Sequence, residues 1–89
     1  VNNGMLFIFP DENLRSFWMK NMKIPLDMLF ISADKKIIDI KENFAPCLSD
    51  ICESYFSAGP AKYVLEINAG LVKEKNIKIG EEIRINYGK

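Results

Sequence analysis

Ser16-Phe17-Trp18-Met19-Lys20-Asn21-Met22-Lys23-Ile24-Pro25-Leu26-Asp27-Met28-Leu29-Phe30-Ile31 decides the fold. Residues 16–22 alternate. In a strand, Phe17, Met19 and Asn21 face one way, and Ser16, Trp18, Lys20 and Met22 the other. Trp18 and Lys20 then lie side by side, with the lysine stem able to cover the indole. Two readings follow. Lys20 is either an edge-strand lysine snorkelling past a core tryptophan or part of a polar site beside an aromatic surface. Pro25 has no amide donor, so it belongs at a strand start or edge. Residues 26–31 are apolar on both faces except Asp27, the pattern of a strand buried on both sides. Asp27 is therefore either a cap on nearby backbone amides or a polar group at the mouth of a barrel.

Working outward, residues 5–9 read as a buried strand bounded by Gly4 and Pro10, with a turn over residues 10–13. A hairpin partner over residues 15–22 follows, then the central strand over 26–32. A turn at residues 33–36 leads to a strand over 36–41, in which Asp39 is the polar exception. Residues 43–59 form a long loop punctuated by Pro46, Ser49, Asp50, Ser54, Ser57 and Gly59. Residues 63–67 alternate as a strand. Asn68 offers an N-cap for a helix over 69–75, and Asn76 suits the position after its end. A last strand is expected over 82–87. Parallel βαβ alternation is absent. The fold class expected is mainly β (α+β): a small antiparallel β-barrel or half-barrel of about six strands with one short helix.

Composition bounds the function. The 89 residues suit one domain. Twelve basic residues balance twelve acidic ones, so no positive excess drives phosphate binding, and nucleic acid is not an expected partner. No apolar run is long enough for a membrane-spanning helix. The chain has no histidine, which removes Ser-His-Asp, Cys-His and His-ligated metal chemistry. Acid–base work would fall to carboxylates, lysine or tyrosine.

Cys47 and Cys52 are spaced C-x4-C. They read first as a disulfide closing the long loop. Half of a zinc site and free thiols are the alternatives, and no histidine is present to complete a site. A disulfide would place the chain in an oxidising, extracytoplasmic compartment, with intracellular disulfides of thermophiles the exception.

Phe17-Trp18-Met19-Lys20-Asn21 followed by Ile24-Pro25-Leu26-Asp27 resembles the signature of an uncharacterised prokaryotic family, domain of unknown function 192. Gly4-Met5-Leu6-Phe7-Ile8-Phe9 and Ala58-Gly59-Pro60-Ala61-Lys62-Tyr63-Val64-Leu65-Glu66 resemble its first and later motifs, in the same order. The resemblance carries no activity with it. It implies a further segment before Gly4, including a strand. This chain is expected to lack that strand, to leave a sheet edge unpaired, and so to dimerise through that edge. It also implies a glycine in the turn after the central strand, where this chain has Lys35, which must then adopt a left-handed conformation or a different turn.

Three functions are weighed. The first is a binding module for a small polar ligand or sugar, with Trp18, Lys20, Asn21, Asp27, Tyr63 and Glu66 lining a cleft. The second is a structural or interaction domain of the cell envelope with an envelope protein as partner. The third is an enzyme using Lys20 and Asp27 as an acid–base pair, against which the missing histidine and nucleophile elbow count. No cofactor or metal is expected.

Overall fold

The structure is a computed structural model that describes residues 4–17, 24–47 and 51–84. Its elements in chain order are β1 (Met5–Asn13), β2 (Ser16–Phe17), β3 (Leu26–Ile31), β4 (Ile37–Phe44), β5 (Tyr55–Phe56), β6 (Ala61–Asn68) and α1 (Leu71–Glu74). Four strands form an antiparallel sheet in the order β1-β6-β3-β4, and β2 pairs with β5 in a second small sheet. The larger sheet is not closed into a barrel, so the open, half-barrel form of the expected fold is the one found.

All six residues of β3 are buried, because both faces of the sheet are covered. On one face Leu29, Ile31, Ile37 and Tyr63 pack with Val72 of α1, joined by Ile77 and Ile83 from the chain beyond it. On the other face Met28, Phe30, Ala61 and Val64 meet Phe7, Phe9, Phe17, Phe44 and Tyr55. Phe17 of β2 and Tyr55 of β5 are set into this face by ring contacts with Phe30 at 6.0 and 5.7 Å. We call these the helix face and the aromatic face.

Several local expectations change. The turn expected at residues 10–13 belongs to β1, whose pairing with β6 shifts register between Ile8 and Asn13. Proline is tolerated at such a bulge on an edge strand, where no ladder donor is needed. Lys62 Nζ donates to the carbonyls of Phe9 and Pro10 at 3.0 and 3.3 Å. Arg15 donates from Nε to the Ala61 carbonyl and stacks its guanidinium 3.8 Å over Phe9. These contacts replace ladder bonds where the register slips.

The long loop holds one unexpected strand, β5. The last expected strand is reduced, among the described residues, to one bridge between Lys36 and Glu82; residues 85–87 lie outside them. Lys35 does adopt the left-handed conformation, at φ 67°, and the turn is closed by a 2.9 Å bond from the Lys35 amide to the Ser32 carbonyl. The helix is shorter than expected and is capped by Gly70 at φ 96°, not by Asn68. Its end matches the expectation. Asn76 sits at φ 55°. Its amide bonds the Lys73 carbonyl, and the Ile77 amide bonds Val72, the paired bonds of a Schellman motif. Cys47 and Cys52 are joined in a disulfide with Cα atoms 5.9 Å apart.

Candidate functional site on the aromatic face

Asp27 is fully buried, and its carboxylate is committed to backbone. Oδ1 accepts the Asn43 amide at 2.7 Å, and Oδ2 accepts the Gly70 and Val72 amides at 3.0 and 2.9 Å. Of the two readings of Asp27, this is the capping geometry. One side chain supplies the acceptor that Gly70 lacks as a cap, and it fixes β4 where Asn43 turns at φ 53°. A charged acceptor at the start of a helix also complements the exposed amides there.

Asp27 pairs across β3–β6 with Ile67, which packs on the helix face, and Tyr63 is buried in that same cluster. Glu66 points the other way. It pairs with Met5 on β1 and with Met28 on β3, and Met28 belongs to the aromatic face. The sheet therefore separates residues expected to share one cleft. Asp27 and Tyr63 support the helix side, and Glu66 stands on the aromatic side. Trp18, Lys20 and Asn21 lie outside the described residues. Phe17, immediately before them, is on the aromatic face.

Glu66 is half-buried. Among the described residues, its carboxylate has no hydrogen-bond or ion-pair partner. Burial alone pushes its pKa above the ordinary glutamate value, because removing a carboxylate from water disfavours the charged form.

Sequence reasoning missed the far side of this site. Met28 also pairs with Lys41 on β4, so Glu66, Met28 and Lys41 form one row across three strands. The Lys41 ammonium stands 5.4 Å from the centroids of both Phe44 and Tyr55, a cation held over aromatic faces. Tyr55 is tied down by Asp39, whose Oδ2 accepts its hydroxyl at 2.8 Å and the Ala58 amide at 2.8 Å. Burial, and then the Asp39 carboxylate, push the Tyr55 pKa up. The one available signal was Asp39, a lone carboxylate in an isoleucine run. The register shift between the Phe30 and Ile31 pairs was not visible, and it is this shift that brings Ile38 onto the same face as Asp39 and Lys41.

The arrangement can hold charge at two points beside aromatic rings. Two open surface hollows of about 440 and 380 Å³ lie on the helix side, lined by Lys35, Glu82, Ile83 and Arg84 and by Glu42, Lys73, Asn76 and Lys78 among others. Neither includes Glu66 or Lys41. Among the described residues, no three cysteine, aspartate or glutamate side chains converge in a way that could hold a metal ion.

Comparison with known proteins places the chain. The family model DUF192, described as an uncharacterised ACR, matches residues 1–85. A UPF0127 protein of Thermococcus sibiricus (strain DSM 12597 / MM 739) is 29% identical over 85 residues, covering 93% of this chain and 51% of the relative. The crystal structure of a protein of unknown function from Novosphingobium aromaticivorans DSM 12444 superposes with a TM-score of 0.83 at 35% identity, over 92% of this chain and 56% of that one. A second crystal structure, of a candidate transcription regulator from Sinorhizobium meliloti 1021, gives 0.77 at 44% identity, over 89% and 59%. The chain thus spans little more than half the length of each.

Proposed function

The chain belongs to the DUF192 family of uncharacterised proteins, and from that premise we propose that it is a non-catalytic binding module for a small polar ligand, sugars included. The site is the aromatic face around Glu66; Trp18, Lys20 and Asn21, expected from the sequence to line a site with it, lie outside the described residues. Asp27 serves this site as scaffold, by fixing β3 against β4 and α1. The observation that carries the reading is the half-buried Glu66 carboxylate, which has no partner among the described residues. Burying an ionisable group without a partner costs stability, and groups held at such a cost concentrate at functional sites.

The Cys47–Cys52 disulfide supports an oxidising location such as the cell envelope. A chain of zero net charge lacks the positive excess that drives binding to phosphate backbones, which weighs against a role on nucleic acid.

The test is a titration of the protein, labelled at its methionine methyl carbons, with a panel of neutral sugars, amines, carboxylates and amino acids. Met5 and Met28 flank Glu66 and report on the site. Saturable shifts at these two methyls, lost in Glu66→Gln, are expected. Saturable binding that leaves both methyls unmoved would overturn the assignment.

A second reading has its own observation. Among the described residues nothing pairs with the outer edge of β1, and Met5 and Ile8 there are 57% and 49% exposed. An apolar edge of this kind pairs with other strands. Edge-to-edge dimerisation, or docking of an envelope protein, would use it. A concentration-dependent shift from monomer to dimer in sedimentation, abolished by a charge on the exposed edge in Ile8→Lys, is the expected sign. A monomer at millimolar concentration would count against the dimer.

A further inference from the structure

The geometry points to a zwitterion, a small amino carboxylic acid, as the ligand class of the aromatic face, with Glu66 taking its ammonium group and Lys41 its carboxylate. The inference rests on the binding reading above and deepens it.

Glu66 and Lys41 flank the same residue, Met28, on neighbouring strands and on the same face. Two strand spacings separate their Cα atoms by roughly 9.5 Å. They do not pair with each other. Among the described residues the ion pair present is Arg15 with Asp11, on another part of the sheet. Lys41 is turned toward the rings of Phe44 and Tyr55, 5.4 Å from each, with no carboxylate at ion-pair distance among the described residues. Those rings are fixed in turn. Phe44 and Tyr55 meet edge to face with centroids 6.2 Å apart, and Asp39 anchors the Tyr55 hydroxyl. The positive pole is therefore held in place by packing and not by a counter-charge, and the negative pole stands half-buried across Met28.

A ligand with one charge of each sign satisfies both poles at once. A neutral sugar leaves both uncompensated. A simple amine or simple carboxylate satisfies one and leaves the other unpaired, which weighs against it. The pair thus selects for charge at two points, a demand that neither residue alone imposes.

Calorimetric titration with 6-aminohexanoate, hexylamine, hexanoate and glucose tests this. The expected result is that 6-aminohexanoate binds at least about tenfold more tightly than hexylamine or hexanoate, a difference of about 1.4 kcal/mol. Lys41→Met is expected to bring it down to the level of hexylamine, and Glu66→Gln to the level of hexanoate. Both changes roughly keep the size of the side chain, and an unchanged methyl spectrum away from Met5 and Met28 would confirm that the variants fold. If hexylamine or glucose binds as well as 6-aminohexanoate and loses affinity in Glu66→Gln, the zwitterion inference falls and the binding reading stands. If none of the four binds, and none moves the Met5 or Met28 methyls, both fall.

Discussion

At the scale of single residues, Asp27 and Glu66 divide the work that the sequence attached to both. The anomaly of Asp27 was legible: one carboxylate in an apolar run demands partners. Which partners was not legible, because Asn43, Gly70 and Val72 come from two distant segments. Asp27→Ala leaves three amides without their acceptor, and each buried donor left unsatisfied costs about 1–3 kcal/mol. Chemical denaturation should show that loss, and Asp27→Asn, which keeps one acceptor oxygen, should lose less. Tyr55 and Asp39 make a smaller claim. Tyr55→Phe removes one hydrogen bond while Asp39 keeps the Ala58 and Ile40 amides, and a cost of about 1 kcal/mol is expected. Its sign with pH is also fixed. The folded pKa of Tyr55 is raised, so the stability linked to its proton is complete below the ordinary value of 10.0 and is lost as pH rises through the folded value. Alkaline unfolding of Tyr55→Phe should lack that component.

At the scale of elements, strand positions were read well where burial is two-sided and poorly where the chain irregularly departs from pairing. β3 was plain from its apolar run and β6 from its alternation over residues 63–67. The extension of β1 through Pro10 was hidden, because a bulge is set by the partner strand and by Arg15 and Lys62, not by local composition. α1 shows the same limit. Asn68 has the right chemistry for a cap, yet the turn at Gly70 adopts φ 96° and the acceptor arrives from β3. Added bulk at Gly70 meets nothing within 4 Å, so Gly70→Ala should cost only the left-handed backbone penalty, about 1–2 kcal/mol, measurable as a shift in denaturation midpoint. Alternation along β6 alone sets Tyr63 and Glu66 on opposite faces; the side of the sheet that Asp27 takes follows from strand register, which a single sequence does not fix for strands buried on both faces.

At the scale of the whole molecule, an open sheet covered on both faces needs the loop after β4 to stay in place, since that loop carries β5 and Tyr55. The Cys47–Cys52 link closes this loop. Its reduction should cost about 2 kcal/mol on the chain-entropy model, seen as a lower denaturation midpoint with reductant, and it should loosen the Tyr55 side of the aromatic face first.

If Glu66 is kept at a cost to stability because it serves a ligand, thermal unfolding of Glu66→Gln against the unaltered protein reveals that cost. The folded pKa of Glu66 is raised by burial, so the folded state holds its proton more tightly than the unfolded state. Stability is therefore lost as pH rises from the ordinary value of 4.5 through the folded value. Without ligand, Glu66→Gln is expected to melt at a higher temperature than the unaltered protein at pH 7, and the advantage is expected to disappear at pH 4. A variant that melts lower at pH 7 would show that the Glu66 carboxylate makes a stabilising contact, and would contradict the assignment of this face as a binding site.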